Sequence, residues 1–264
     1  MKQFPRRVLA ALLFCAAPLH AQDLVTLPTR PGVTLAFFIA SMGDVQPRAA
    51  ALLLIGGGGN IRLRVEDGQV RFGAQNFLPR SRREFIAEGI LPVILDNPTD
   101  QQAGTGMSDD FRASAAHTAD LRAVIAEVKR RHPGLPVFLV GTSRSSISAA
   151  HQARALGGEL AGAVLSSSLF WVGRQPALSA FDFPSVKIPL LFVHHREDAC
   201  MHTPYRDAER LGARYPLVSV KGGKPPESGP CDPLAPHGFY GKEAETVGAI
   251  AAWMLGKPFA REIN

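Results

Sequence analysis

Gly141-Thr142-Ser143-Arg144-Ser145 is where this chain's residue types and spacing most plainly permit chemistry. It follows the short apolar run Pro136-Val137-Phe138-Leu139-Val140 and precedes Ile147 to Leu156, which carries a helical pattern. A serine flanked by small residues on a sharp strand-to-helix turn has its hydroxyl held in a strained, exposed position. The small neighbours are needed because such a turn brings backbone against backbone. The commonest form of this turn is G-x-S-x-G, and here Ser145 stands where the last glycine would be. Read as structure alone, Thr142 or Ser143 would simply cap the helix that follows.

A serine hydroxyl is a weak nucleophile at its own pKa and needs an imidazole to take its proton, itself oriented by a carboxylate. Suitable partners come later in the chain. Asp198 lies just past the apolar run Ile188-Pro189-Leu190-Leu191-Phe192-Val193, and His237 follows the short strand Leu217-Val218-Ser219-Val220. All three sit beyond the C-terminal ends of predicted strands, the edge where open sheets of parallel strands place their sites. Ser143 is then the nucleophile, His237 the general base and later acid, and Asp198 the orienting carboxylate. Attack on a carbonyl also generates an oxyanion, for which each preorganised N–H donor contributes roughly 3 kcal/mol. The expected donors are the backbone N–H of Arg144 and that of Gly57 or Gly58. The second pair belongs to Gly56-Gly57-Gly58-Gly59, which follows the apolar run Ala50-Ala51-Leu52-Leu53-Leu54-Ile55. A rival chemistry uses the cluster His194, His195, Asp198, Cys200 and His202, with Cys231 and His237, to hold a metal for hydrolysis. Its spacing matches no standard zinc pattern, so no metal ligand is assigned.

With these residues in order, the chain resembles the α/β-hydrolase superfamily. Asp96, followed by Gly104-Thr105-Gly106-Met107-Ser108-Asp109, is similar to a D-x-x-G-x-G-x-S-D segment that many of its members carry, with a few residues inserted. The resemblance implies an α/β fold with a mostly parallel central sheet, helices on both faces and a minimal lid. It also implies a serine hydrolase that uses no cofactor, carboxylic esters being the expected substrates. Thioesters and amides use the same machinery. A fold is not a function, however, and a non-catalytic binding protein on this scaffold is the alternative.

The remaining elements must position those residues. Arg112 to Arg131 reads as one amphipathic helix with His117, Leu121, Val124, Ile125 and Val128 on its apolar face. His132-Pro133-Gly134 stops it. Leu160 to Leu165 is a further strand, and Thr203-Pro204 opens another helix with the threonine as cap. Lys221 to Pro236, rich in Gly and Pro, is a loop, and Val247, Ile250, Ala251, Trp253 and Met254 mark a last helix. Only about twenty residues separate the strands ending at Leu165 and starting at Ile188, which leaves an open site. Leu169, Phe170, Trp171, Phe181 and Phe183 in that stretch are candidates for an acyl or aryl pocket, or for plain packing. Arg80-Ser81-Arg82-Arg83 is a local basic cluster read as a solvated helix face.

Residues 1–21 read as a secretory signal: Lys2, Arg6 and Arg7, then apolar Val8 to Ala17, then Leu19-His20-Ala21 before Gln22. The apolar run is too short for a stable membrane span. Residues 22–264 form a single domain in this reading. Cleavage would remove three cations and no acid, so the formal charge of +6 becomes +3, which is too small and scattered to argue for nucleic acid. Of the three cysteines it would leave Cys200 and Cys231, an expected disulfide in an oxidising compartment. A periplasmic or secreted monomer acting on small-molecule or polymeric esters is the expectation.

Overall fold

The computed structural model describes residues 23–40, 42–73 and 75–264; the expected signal at 1–21 lies outside them. In chain order the strands are β1 (Asp23–Arg30), β2 (Val33–Ile39), β3 (Ala49–Leu54), β4 (Arg64–Glu66), β5 (Gln69–Arg71), β6 (Ile90–Leu95), β7 (Val137–Thr142), β8 (Gly162–Ser166), β9 (Trp171–Val172), β10 (Gln175–Pro176), β11 (Leu190–His195), β12 (Leu217–Val220) and β13 (Glu262–Ile263). The helices are α1 (Phe77–Arg80), α2 (Arg82–Ala87), α3 (Asp109–Arg112), α4 (Ala115–Arg131), α5 (Ser145–Leu156), α6 (Tyr205–Gly212) and α7 (Glu243–Met254).

Nine strands form one sheet in the order β1-β2-β6-β3-β7-β8-β11-β12-β13. The β1–β2 and β2–β6 pairs are antiparallel, and every pair from β6 onward is parallel. Side chains alternate across a strand, so a strand covered on both faces must be apolar throughout. That accounts for the uninterrupted Ala49–Leu54. Ala50, Leu52 and Leu54 join one core with Leu121, Val124, Ile125 and Val128 of α4 and Ile147, Ala150 and Ala153 of α5. Ala49, Ala51 and Leu53 join the other with Phe77 of α1, Phe85 of α2, and Val247 and Ile250 of α7. The mostly parallel sheet with helices on both faces is as expected.

Local chemistry explains where elements start. The predicted helix over 112–131 is two helices: Ser114 interrupts it, its hydroxyl accepting from the N–H of His117 at 3.2 Å to cap α4. Arg112 therefore lies on a separate short turn and is fully buried instead of heading a solvated face. The helix after Thr203 begins at Tyr205, and no side chain caps it. Thr203 is occupied elsewhere. Between β8 and β11 the only strands are the two-residue pair β9–β10, and no α-helix occurs there, so the lid is minimal.

Candidate active site

Ser143 is the first residue after β7 and takes φ +54°, a left-handed value that non-glycine residues seldom hold. The turn is fastened on both sides: its N–H bonds the carbonyl of Ser166 at 3.0 Å, and its carbonyl accepts from Ser146 N–H at 2.9 Å. Gly141 is required two residues earlier, because a Cβ there would fall 2.4 Å from the Ser145 carbonyl oxygen and 2.8 Å from the Ala149 methyl. Ser145, in the usual glycine position, is buried. Its hydroxyl donates to the Leu54 carbonyl at the end of β3 and accepts from Thr142 N–H at 3.0 Å.

His237 occupies a short 3₁₀ turn, Pro236–Gly238, beyond β12. Its Nδ1 lies 3.0 Å from Asp198 Oδ2. The Asp198 carboxylate also accepts from Thr203 Oγ1 at 2.8 Å and from Cys200 N–H at 2.9 Å, and its side chain is fully buried. With Nδ1–H directed at the carboxylate, Nε2 is the free imidazole nitrogen. It is buried and has no hydrogen-bond partner. Ser143 and His237 line one cleft of about 390 Å³, together with Gly56 to Gly59. The Cys200–Cys231 disulfide joins the loop bearing Asp198 to the loop before His237. Within the described residues no hydrogen bond engages the Ser143 side chain, and none engages the N–H groups of Gly57, Gly58 or Arg144.

The resemblance segment has a structural task here. Asp96 is buried and accepts from the N–H groups of Ile61, Leu63 and Asn97 at 2.8–2.9 Å, shaping the strap that leaves the glycine loop. Gly58 and Gly106 press backbone to backbone: a Cβ on either would come within 2.2 Å of the opposite loop. Asp109 accepts from Arg144 Nε at 2.6 Å and holds the residue after Ser143.

Of the two readings of the aromatic stretch the packing one holds, and the reading of the basic cluster is corrected. None of Leu169, Phe170, Trp171, Phe181 and Phe183 lines the cleft. Phe170 stacks on His194 at 5.5 Å and Phe183 packs on Phe192 at 5.2 Å, so they fill the core beneath the loop. Nor is the basic cluster a solvated face. Arg80 donates to the Gly238 carbonyl at 2.8 Å and pairs with Glu243 at 2.9 Å, pinning the turn that carries His237. Ser167 Oγ adds a bond to the His237 carbonyl at 2.8 Å.

The alternative metal cluster is otherwise engaged. Both cysteines are in the disulfide, His194 Nε2 accepts from Ser168 N–H, and His195 bridges Glu197 N–H and the Gly222 carbonyl. Burial pushes the His194 pKa down to about 3. Among the described residues no three His, Cys, Asp or Glu side chains are grouped to hold a metal ion. Arg80, Ser167 and Arg112 were not legible as site residues, since each makes its contact across a long sequence separation, and Thr203 was read instead as the cap of the helix that follows it.

A sequence-family profile described as "Serine aminopeptidase, S33" matches residues 99–222. No curated protein matches the chain. Among solved structures it is similar to XC6422 from Xanthomonas campestris, described as an α/β serine hydrolase without lid (TM-score 0.56, 18% identity, 88% of this chain and 95% of that one). Est1E from Butyrivibrio proteoclasticus aligns with a TM-score of 0.60 at 11% identity over 89% of this chain and 99% of that one. A soluble variant of monoglyceride lipase from Saccharomyces cerevisiae aligns with a TM-score of 0.59 at 12% identity over 96% and 98%. At such identities the likeness is one of fold. The profile over residues 99–222 and the shared architecture agree on the α/β-hydrolase fold.

Proposed function

We propose that this protein is an exported serine hydrolase that cleaves carboxylic esters through Ser143, His237 and Asp198. Ser143 Oγ attacks the ester carbonyl carbon while His237 Nε2 takes its proton. The resulting oxyanion is held by the N–H of Arg144 and by an N–H of the glycine loop. Collapse expels the alcohol, which receives the proton from His237, and leaves an acyl-serine. Water then attacks with His237 again as base, releasing the acid and restoring the hydroxyl.

The observation that carries this reading is the unpartnered, buried Nε2 of His237, oriented by Asp198 and facing the same cleft as a serine at φ +54°. Catalytic hydrogen bonds are often long in free enzymes and tighten with substrate, so an unengaged Ser143 hydroxyl is consistent with the assignment. The lining supports a short, polar acyl or alcohol group. Asn60, Arg62, Asn76, Gln102 and Thr105 contribute polar edges, and the apolar share falls chiefly to Ile55, Phe77 and Pro233. Export rests on the signal-like residues 1–21 and is supported by the Cys200–Cys231 bond. No helix among the described residues is long and apolar enough to cross a membrane.

The test is an ester panel run on the wild type and on Ser143→Ala. The wild type should turn over an aryl acetate faster than the aryl octanoate and should be labelled by a fluorophosphonate. The alanine variant should lose at least about 10³-fold in kcat and all labelling, with an unchanged thermal melt. A wild type that neither reacts with the probe nor hydrolyses any ester of the panel is a binding protein, and the proposal fails.

A further inference from the structure

Arg112 is a fully buried guanidinium without a carboxylate partner. Its Nη2 donates to the Gly57 carbonyl at 2.8 Å, its Nη1 to Ser148 Oγ at 3.2 Å, and its Nε to nothing. The charges that act on it are Arg144 and Asp109, which already pair with each other at 2.6 Å. Burial pushes the Arg112 pKa down to about 10, which leaves it cationic at neutral pH. An uncompensated buried cation is strongly unfavourable, so one retained behind a cleft calls for a purpose.

Peptide geometry supplies one. In a trans peptide the carbonyl of one residue and the N–H of the next point in opposite directions, and no peptide bond among the described residues is cis. The Gly57 carbonyl is drawn back onto Arg112, so the N–H of Gly58 is turned the other way. Gly58 lines the cleft beside Ser143 and His237, and its N–H has no partner within the described residues. The next peptide unit is anchored as well, its Gly58 carbonyl held at 2.9 Å by both Met107 N–H and Asn97 Nδ2, which fixes the chain on the far side of Gly58. Resting on the reading of Ser143 as nucleophile, we infer that Gly58 N–H is the second oxyanion donor and that Arg112 is its positioning residue. The guanidinium clamps the Gly57–Gly58 peptide and polarises it, so that the developing negative charge is stabilised through one aligned peptide by a cation that never touches substrate. Polarisation along such a chain is stronger in a low-dielectric interior. The negative charge missing around Arg112 in the free protein arises only during reaction.

The experiment compares wild type, Arg112→Lys and Arg112→Met by ester kinetics, thermal melting and inhibition by an aryl trifluoromethyl ketone. The serine adds to this ketone to form a stable oxyanion. In Arg112→Met, kcat should fall about 10²-fold, the effect of losing one donor, with KM within threefold. The ketone inhibition constant should rise in parallel with the fall in kcat. Arg112→Lys keeps the charge but not the fork, and should lose about tenfold in kcat with KM unchanged. A folded variant of either kind with wild-type kcat, or one altered in KM alone, overturns the inference. Should both variants unfold, the wild type decides. The amide proton of Gly58, observed by NMR, should shift downfield on ketone addition more than that of Gly57, and the reverse overturns the donor assignment. A wild-type protein that forms no ketone adduct overturns the hydrolase reading itself.

Discussion

Ser145 and Thr203 show how single hydroxyls organise the site. Ser145 replaces the glycine usual at the end of the turn, and its buried hydroxyl links the end of β3 to the end of β7. The two strand ends that carry the glycine loop and Ser143 are thereby tied by a side chain as well as by the ladder. Thr203 acts on the other side. Its Oγ1 donates to Asp198 Oδ2, the same oxygen that faces His237 Nδ1, and sits 3.3 Å from that nitrogen. From the sequence, Thr203 before Pro204 is a helix cap; only the fold reveals that the carboxylate five residues earlier claims the hydroxyl. Thr203→Val keeps the shape and removes the donor. The expected outcome is a loss of about 1 kcal/mol in stability and about tenfold in kcat, since the carboxylate is then free to rotate off the imidazole. Ester kinetics with a denaturant titration check it, and a kcat within twofold of wild type sinks the role.

At the scale of elements, the problem is to hold His237 at the end of a long connection. Fifteen residues of loop, 221–235, separate β12 from the turn that carries it. Three fasteners compensate: the disulfide from Cys231 to Cys200, the Arg80–Glu243 pair with its bond to Gly238, and the Ser167 hydroxyl on the His237 carbonyl. The positions of Ser143, Asp198 and His237 past the ends of β7, β11 and β12 were readable because buried parallel strands are short apolar runs with abrupt ends. The fasteners were not. Arg80 and Ser167 act over separations of 158 and 70 residues, and a basic cluster or a serine run carries no mark of such a partner. The disulfide was readable, because only two cysteines lie beyond residues 1–21 and two have one pairing. Replacing both by serine should lower unfolding free energy by about 3 to 4 kcal/mol, the chain-entropy value for closing a loop of this length. It should also lower kcat with little change in KM, as the Asp198 and His237 loops lose their common anchor. Urea midpoints and ester kinetics on the double variant measure both, and an unaltered midpoint would contradict the tie.

For the whole molecule, the sheet's two apolar faces explain an acid sensitivity that begins near neutrality. His117 on α4 and His194 on β11 are both buried, and burial pushes each pKa down to about 3. Around His117, the Arg112 and Arg30 cations lower it further. Neither His117 ring nitrogen has a partner, while His194 accepts one backbone N–H through Nε2. The sequence placed His117 on the apolar stripe of its helix, but its depth depends on what packs above it. In the unfolded chain both titrate near 6.5. Above that pH they are neutral in both states, and stability is at its full value. As pH falls below 6.5 the unfolded chain binds protons that the folded one refuses, so stability drops until about pH 3. The slope approaches about 2.7 kcal/mol per pH unit for two sites, and about 4 kcal/mol is lost between pH 7.5 and 5. The paired carboxylates of Glu127 and Asp100, whose pKa values are lowered by their arginine partners, add their own loss only in more acid solution. Urea titrations at pH 7.5, 6, 5.5 and 5 should show this decline. In His117→Leu the slope over that range should fall by about 1.4 kcal/mol per pH unit, because one buried proton site is gone and the apolar side chain suits the stripe. A variant with the wild-type slope would mean that His117 is protonated inside the fold, contrary to the buried, partnerless position it occupies.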